Sequence, residues 1–180
     1  MIQQYIQGDL VASIDAFAAG KIDRFVMAQG CNCFCTQGSG IAGQLRKYPE
    51  VLATDIASGR KGDKDKLGKV SIASIVSEHS DYCVAVVNMY TQYEFGQDKM
   101  NVDYRAIGDA FEHVNNLMQI INPQNRVLFI PKIGAGLAGG DWDTIAKIID
   151  ESTPNLDVVV VDYVPGVDAV GSYRASAESR

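Results

Sequence analysis

The chain has 180 residues, of which 47% are hydrophobic and 21% charged, with a formal net charge of −6. That length supports one domain with a sizeable core and leaves too little chain for two. The acidic balance, with no Lys/Arg-rich run, argues against long contact with a nucleic-acid backbone or with an anionic membrane surface.

The opening segment "MIQQYIQGDL" has no basic region followed by an apolar run, and nowhere do about 18 apolar residues follow one another. The sequence therefore predicts a cytoplasmic chain whose four cysteines, at 31, 33, 35 and 83, are free thiols. Residues 2–6 predict a short strand followed by Gly-Asp. Leu10, Ile14, Phe17 and Ala18 then recur at helical spacing, predicting a helix over 10–19. Residues 22–29 predict a second strand, followed by a loop rich in Gly, Cys and Ser and by helical text over 41–58, interrupted near Pro49. The stretch "RKGDKDK" at 60–66 reads as a solvated turn. Segments 69–76 and 82–90 predict two strands joined by a short polar connection, an antiparallel hairpin. From Asp103, the residues Ile107, Phe111, Val114, Met118 and Ile121 form one helical stripe that Pro123 stops. A strand over 126–130, a helix over 142–150 and a strand over 157–163 follow. Alternation of strand and helix at both ends predicts an α/β fold, a three-layer α/β/α sandwich with a mixed central sheet, as one domain over 1–165. The remainder, "GVDAVGSYRASAESR", is small and polar and predicts a flexible tail over 166–180.

Two glycine loops carry the chemistry. Gly134, Gly136 and Gly139 spell G-x-G-x-x-G between a strand and a helix whose N-cap is Asp141. Successive N–H groups and the positive end of a helix dipole suit a phosphate there, and glycines let the backbone approach it. As a dinucleotide fingerprint the motif finds a ribose-binding acid in Asp162, about 20 residues on, which would make the chain a nicotinamide-dependent oxidoreductase. Three features oppose that reading: the motif lies in the last third of the chain, Pro131 and Lys132 separate strand from glycine, and a second glycine loop exists. In that second loop, within residues 29–50, Gly38, Ser39 and Gly40 precede the helical text. Two such turns opening on one sheet edge would face each other across a crevice suited to two phosphates, or to a phosphate and a sugar.

"GDL" at 8–10, "QGCN" at 29–32, "GSGIA" at 38–42 and "IPKIGAGLAGGDW" at 130–142 resemble the macro domain, an ADP-ribose-binding α/β/α module, over roughly residues 1–163. Within it the resemblance is to the branch of ADP-ribose 1''-phosphate phosphatases and small ADP-ribosyl hydrolases, and "YPEV" and "NMYTQYEFG" share its look. The resemblance implies that Asp9 accepts a hydrogen bond from the adenine amino group and that Leu10 lines the adenine pocket. It implies that Asn32 holds a hydroxyl of the distal ribose, and that Gly38, Ser39, Gly40, Ile41 and Ala42 wrap that ribose and one phosphate. Ile133, Gly134, Ala135, Gly136, Leu137, Ala138 and Gly139 would cradle the diphosphate, and Tyr163 would flank the adenine. Each residue also has a plainer reading: Asp9 as a helix N-cap, Asn32 as a turn residue tolerant of left-handed backbone, Tyr163 as packing.

The sequence departs from its relatives at two positions. Gln29 stands where phosphatases of this branch often carry a histidine, and an amide cannot shuttle a proton. Ala138 stands where some hydrolases carry an aspartate. His79 and His113 read as surface residues. The expected reaction is hydrolysis at the distal ribose, of a 1''-phosphate or of an ADP-ribosyl linkage, with Asn32 and Gln29 as candidate catalytic residues, a positioned water, and help from the ligand's own phosphate. The polar loop 91–102, with Gln92, Glu94 and Asp98, is placed to close over the site. The alternatives are a non-catalytic ADP-ribose-binding module and, less favoured, the oxidoreductase. No cofactor is called for, and nothing in the sequence specifies an oligomeric state. Cys31, Cys33 and Cys35, two apart, would lie on one side of an extended segment. A zinc site completed by Cys83 is opposed by the usual C-x2-4-C spacing, so packing thiols and no metal are expected. Trp142 reads as core or loop support.

Overall fold

The structure is a computed structural model that describes residues 1–96 and 98–180. Strands β1 (Ile2–Asp9), β2 (Val26–Asn32), β3 (Val70–Ser77), β4 (Ser80–Gln92), β5 (Val127–Ile130) and β6 (Asp157–Asp168) form one sheet in the order β1-β6-β5-β2-β4-β3. Neighbours run parallel except in the hairpin β3–β4, so the sheet is mixed, as expected. The helices are α1 (Leu10–Ala18), α2 (Gly40–Gln44), α3 (Pro49–Ala57), α4 (Tyr104–Ile121), α5 (Trp142–Ser152) and α6 (Ala169–Glu178). Among the described residues, no helix is long and apolar enough to cross a membrane.

The period of two in β6 builds the three layers. Val158 and Val160 join Ala28, Leu128 and Ile130 under Ile107, Phe111 and Val114 of α4 and Ile145 and Ile149 of α5. Val159 and Val161 join Met27, Val86 and Phe129 under Ile14 and Phe17 of α1, Val51 of α3, and Ala169 and Val170 of α6. Covered on both faces, the central strands are near-continuous apolar runs. Aspartates fix four helix starts by accepting from early N–H groups: Asp9 for α1, Asp103 for α4, Asp141 for α5 and Asp168 for α6. The interruption near Pro49 is real. A 3-10 turn, Leu45–Lys47, precedes Pro49, which opens α3 where its missing N–H costs nothing.

Two expectations need correction. The second strand begins at Val26, not at residue 22, because the carbonyls of Asp23 and Arg24 accept from the Arg174 guanidinium at 2.9 and 2.7 Å and not from a neighbouring strand. Residues 166–180 are no loose tail: β6 runs to Asp168 and α6 follows. Ala169 and Val170 are fully buried. Asp168 Oδ1 accepts from Ser13 Oγ of α1 at 2.6 Å, and Ser13 Oγ in turn accepts from Val170 N at 3.0 Å. The small residues that suggested flexibility let α6 lie close on α1.

The parallel strands β1, β2, β4, β5 and β6 end at one edge of the sheet. The segments that leave them there carry every glycine motif singled out above, at the place where α/β sheets bind ligands.

A cavity between two glycine loops

At that edge lies a cavity of about 740 Å³ whose walls come from the ends of β1, β2, β4, β5 and β6 and the loops beyond them. Of the residues expected at a site, Asp9, Leu10, Asn32, Gly38, Ser39, Gly40, Ile41, Ala42, Ile133, Gly134, Gly136, Leu137, Ala138 and Tyr163 line it. The two glycine loops face each other across it. Ala135, Gly139 and Gln29 are not on its walls.

The loop after β5 is held by its own hydrogen bonds: Ala135 N donates to Lys132 O at 3.2 Å, Gly139 N to Gly136 O at 3.0 Å and Gly140 N to Gly134 O at 2.8 Å. Gly134 has φ +80°, and a Cβ there would meet Val102 Cγ2 at 2.8 Å, so only glycine fits. At Gly136 a Cβ would meet nothing within 4 Å, because that position faces the open cavity. Among the described residues, the N–H groups of Gly136, Leu137 and Ala138 donate to no protein acceptor, and neither do those of Gly38, Ser39 and Gly40 opposite. Two strings of unpaired backbone donors thus converge on one space, a concavity suited to anionic oxygens.

At one end of the cavity, Asp9 combines both roles considered for it. Its Oδ1 accepts from Val11 N and Ala12 N at 2.9 and 3.2 Å, while Oδ2 accepts from Gly166 N at 3.1 Å. The last contact exists because the register of β1 against β6 jumps from Gly8–Tyr163 to Asp9–Asp168, bringing the 164–167 bulge back over the carboxylate. Each carboxylate oxygen carries two lone pairs, so Oδ2 keeps acceptor capacity. Tyr163 stands at the rim, 59% exposed.

Asn32 lines the cavity, but its amide is largely committed. Nδ2 donates to Thr36 Oγ1 at 2.7 Å and to Thr36 O at 3.2 Å, and Oδ1 accepts from Phe34 N at 2.8 Å. What remains for a ligand is one acceptor lone pair on Oδ1, together with the Thr36 hydroxyl, whose proton is left free to donate. Sequence reasoning missed Thr36, although its place between Asn32 and the glycine loop is a signal. It also missed Gln37 and the wall residues Gln44, Pro131 and Lys132. Gln29 requires a correction. The strand period points its side chain to the opposite face of the sheet from Ala28, where it is fully buried and donates to Asn88 Oδ1 at 2.8 Å and Gln37 Oε1 at 3.4 Å. It is not on the cavity wall, which it reaches through Gln37 and, by way of Asn88, through Cys31.

In the 91–102 loop, Gln92, Phe95 and Gly96 line the cavity, whereas Glu94 is bound to Lys99 at 2.6 Å. Asp98 is not on the wall, and Gln97 lies outside the described residues. Asp162 pairs with Lys132 at 3.1 Å and is absent from the cavity. With the strand order observed, which is not the 3-2-1-4-5-6 of a dinucleotide-binding sheet, this removes the structural basis of the oxidoreductase reading. Among the described residues, the titratable side chains on the wall are Asp9, Cys31, Lys132 and Tyr163. Burial pushes the Cys31 thiol far up, with Asp55 adding to the effect, so it stays neutral.

The three-cysteine run does not form one row. Cys31 and Cys33 are buried against Tyr90, but the chain leaves β2 after Asn32 and Cys35 sits at φ +58°. Cys31 is in register with Tyr90, seven positions along β4 from Cys83. At about 3.3 Å per residue that is more than 20 Å, too far for a shared metal.

No family model matches the chain. Its fold is that of the macrodomains. The macrodomain of Mycobacterium tuberculosis DarG superposes with a TM-score of 0.62 at 20% identity, covering 89% of this chain and 97% of that one. The Oceanobacillus iheyensis macrodomain with ADP gives 0.59 at 14% identity, covering 98% and 92%. By sequence, the chain belongs to the family of the uncharacterized 17.5 kDa protein in the tk-vs intergenic region of Enterobacteria phage T4. The two are 39% identical over 169 residues, covering 92% of this chain and 99% of the phage protein.

Proposed function

We propose that this chain binds ADP-ribose or a close derivative. The observation that carries this reading is the pair of facing loops in which the N–H groups of Gly136 to Ala138 and of Gly38 to Gly40 find no acceptor among the described residues. A diphosphate supplies the acceptors for Gly136 to Ala138, and the distal ribose with its adjoining phosphate supplies those for Gly38 to Gly40. Asp9 and Tyr163 receive the adenosine end, and Asn32 with Thr36 receives a hydroxyl of the distal ribose. The ADP held by the Oceanobacillus macrodomain supports the same ligand class on the same fold.

A second reading, hydrolysis at the distal ribose, draws its support from Thr36. Its hydroxyl accepts from Asn32 and is free to donate, so it can orient a water or a phosphate oxygen. With no histidine on the wall among the described residues, proton transfer would fall to the ligand's own phosphate. The water then attacks the phosphorus of a 1''-phosphate, the bond to the ribose oxygen breaks, and that oxygen takes the proton. If turnover is absent, the chain is a module that captures the nucleotide.

Calorimetric titration with ADP-ribose, with AMP and NAD as controls, tests the binding reading. Micromolar affinity that Gly136→Glu abolishes is expected, because the new side chain enters the cavity without a clash. A folded wild type that gives no heat with ADP-ribose would sink the assignment. Phosphate release from ADP-ribose 1''-phosphate then separates the enzyme from the binding module.

A further inference from the structure

Beneath the 36–42 loop lies a buried charged cluster that ligand binding as described does not use. Asp55 of α3 is 0% exposed and Lys66 4%, and their charged groups are 3.3 Å apart. Such a pair is unfavourable to bury unless its remaining donors and acceptors are filled, and here they are. Asp55 Oδ1 accepts from the Tyr90 hydroxyl at 2.8 Å, and Oδ2 accepts from Gln37 Nε2 at 2.8 Å. Lys66 Nζ also donates to Asp55 O at 3.5 Å and Cys35 Sγ at 3.6 Å, and lies 4.2 Å from the centre of the Tyr90 ring.

Of these partners, only Gln37 also lines the cavity. It is held on three sides: Nε2 by Asp55, Oε1 by Gln29 Nε2, and its carbonyl by Arg46 Nε at 2.9 Å. An ionised carboxylate only accepts, so Asp55 fixes which end of the Gln37 amide faces it, and Gln29 takes the other end. The next residue, Gly38, begins the string of unpaired N–H groups.

We infer that Asp55, its buried charge balanced by Lys66, is a positioning residue: through Gln37 it holds the 38–40 backbone in its ligand-facing arrangement and so sets a preference for nucleotides that carry a sugar beyond the diphosphate. This deepens, and rests on, the ADP-ribose reading. Loop placement that is fixed before binding saves the ordering cost at the moment of binding. ADP, which lacks the distal ribose, depends less on this loop and more on Gly134 to Ala138.

Two double variants isolate the effect. Asp55→Asn with Lys66→Met removes both charges but keeps an oxygen to accept from Gln37 Nε2. Asp55→Leu with Lys66→Met removes the charges and that acceptor, and apolar replacement of a buried pair is commonly tolerated. Calorimetry with ADP-ribose and ADP is expected to show the affinity ratio kept in the first variant. In the second it falls about tenfold, the scale of one well-made hydrogen bond, while ADP binding stays within about twofold. Amide order parameters of Gly38 and Gly40 in the free protein are expected to drop only in the second variant. Equal ratios in the two variants overturn the inference. Should the wild type bind neither nucleotide, the ADP-ribose reading fails, and unchanged order parameters would independently overturn the positioning role. Should the leucine variant not fold, Gln37→Met, which deletes the same bond and leaves the ion pair intact, takes its place in both measurements.

Discussion

The amide of Asn32 spends both hydrogens on Thr36 and one lone pair on Phe34 N, so it ties its own turn together while facing the cavity. Asn32→Ala therefore has two effects. It lowers stability by about 1–2 kcal/mol in urea unfolding, the cost of a broken local hydrogen-bond set. It also weakens ADP-ribose binding at least tenfold in calorimetry, by releasing Thr36. Normal affinity in a destabilised variant would reduce Asn32 to a turn residue. Cys33, the next residue along the chain, carries a pH signature. Burial pushes its thiol up to about 11 from an ordinary 9.0. The folded chain holds this proton more tightly than the unfolded one. The contribution to stability is therefore complete below pH 9 and lost as pH rises through 11. The stability difference between wild type and Cys33→Ala, followed by urea unfolding, should hold steady up to about pH 9 and shrink above it.

Elements whose pattern is local were readable in the sequence. The β3–β4 hairpin shows as two apolar segments around a short polar connection, and the α4 stripe from Ile107 to Met118 buries residues at the period its own segment displays. The glycine loops were readable because turn chemistry is local too. What escaped notice depended on distant partners. Nothing within residues 166–180 shows that Ser13 and Asp168 join α6 to α1, and nothing near Gln29 shows which face of β2 meets the cavity. Thr36 and Gln37 gain their roles from Asn32, Asp55 and Arg46, which only the fold brings together. The α6 docking has a measurable cost. Removing residues 169–180 uncovers Ile14 and Phe17 and deletes the fully buried Val170, whose burial alone contributes about 2 kcal/mol. Urea unfolding of the truncated chain should show a loss larger than that, and an unchanged midpoint would mean that α6 is an ornament.

The whole molecule carries a net charge of −6, yet its cavity is proposed to take an anion. Attraction there comes from oriented backbone dipoles at short range, while the long-range field opposes the ligand. Salt screens the repulsion and leaves the short contacts nearly untouched. Raising the ionic strength from about 0.05 to about 0.3 M should therefore leave the ADP-ribose affinity unchanged or slightly tighter. A site built on exposed lysines and arginines would weaken instead, and calorimetry at the two salt levels distinguishes them. The pairing of β1 with β6 has a consequence in time as well as in space. Among the described residues β1 pairs with β6 alone, so it finds its sheet neighbour only once β6, about 150 residues later, has emerged from the ribosome. The wall that joins Asp9 to Tyr163 therefore forms after the other strands of the sheet have been made. A nascent chain halted before Asp157 would leave unpaired the backbone edges that β1 and β5 turn to β6, making it a client for chaperones and unable to hold a nucleotide.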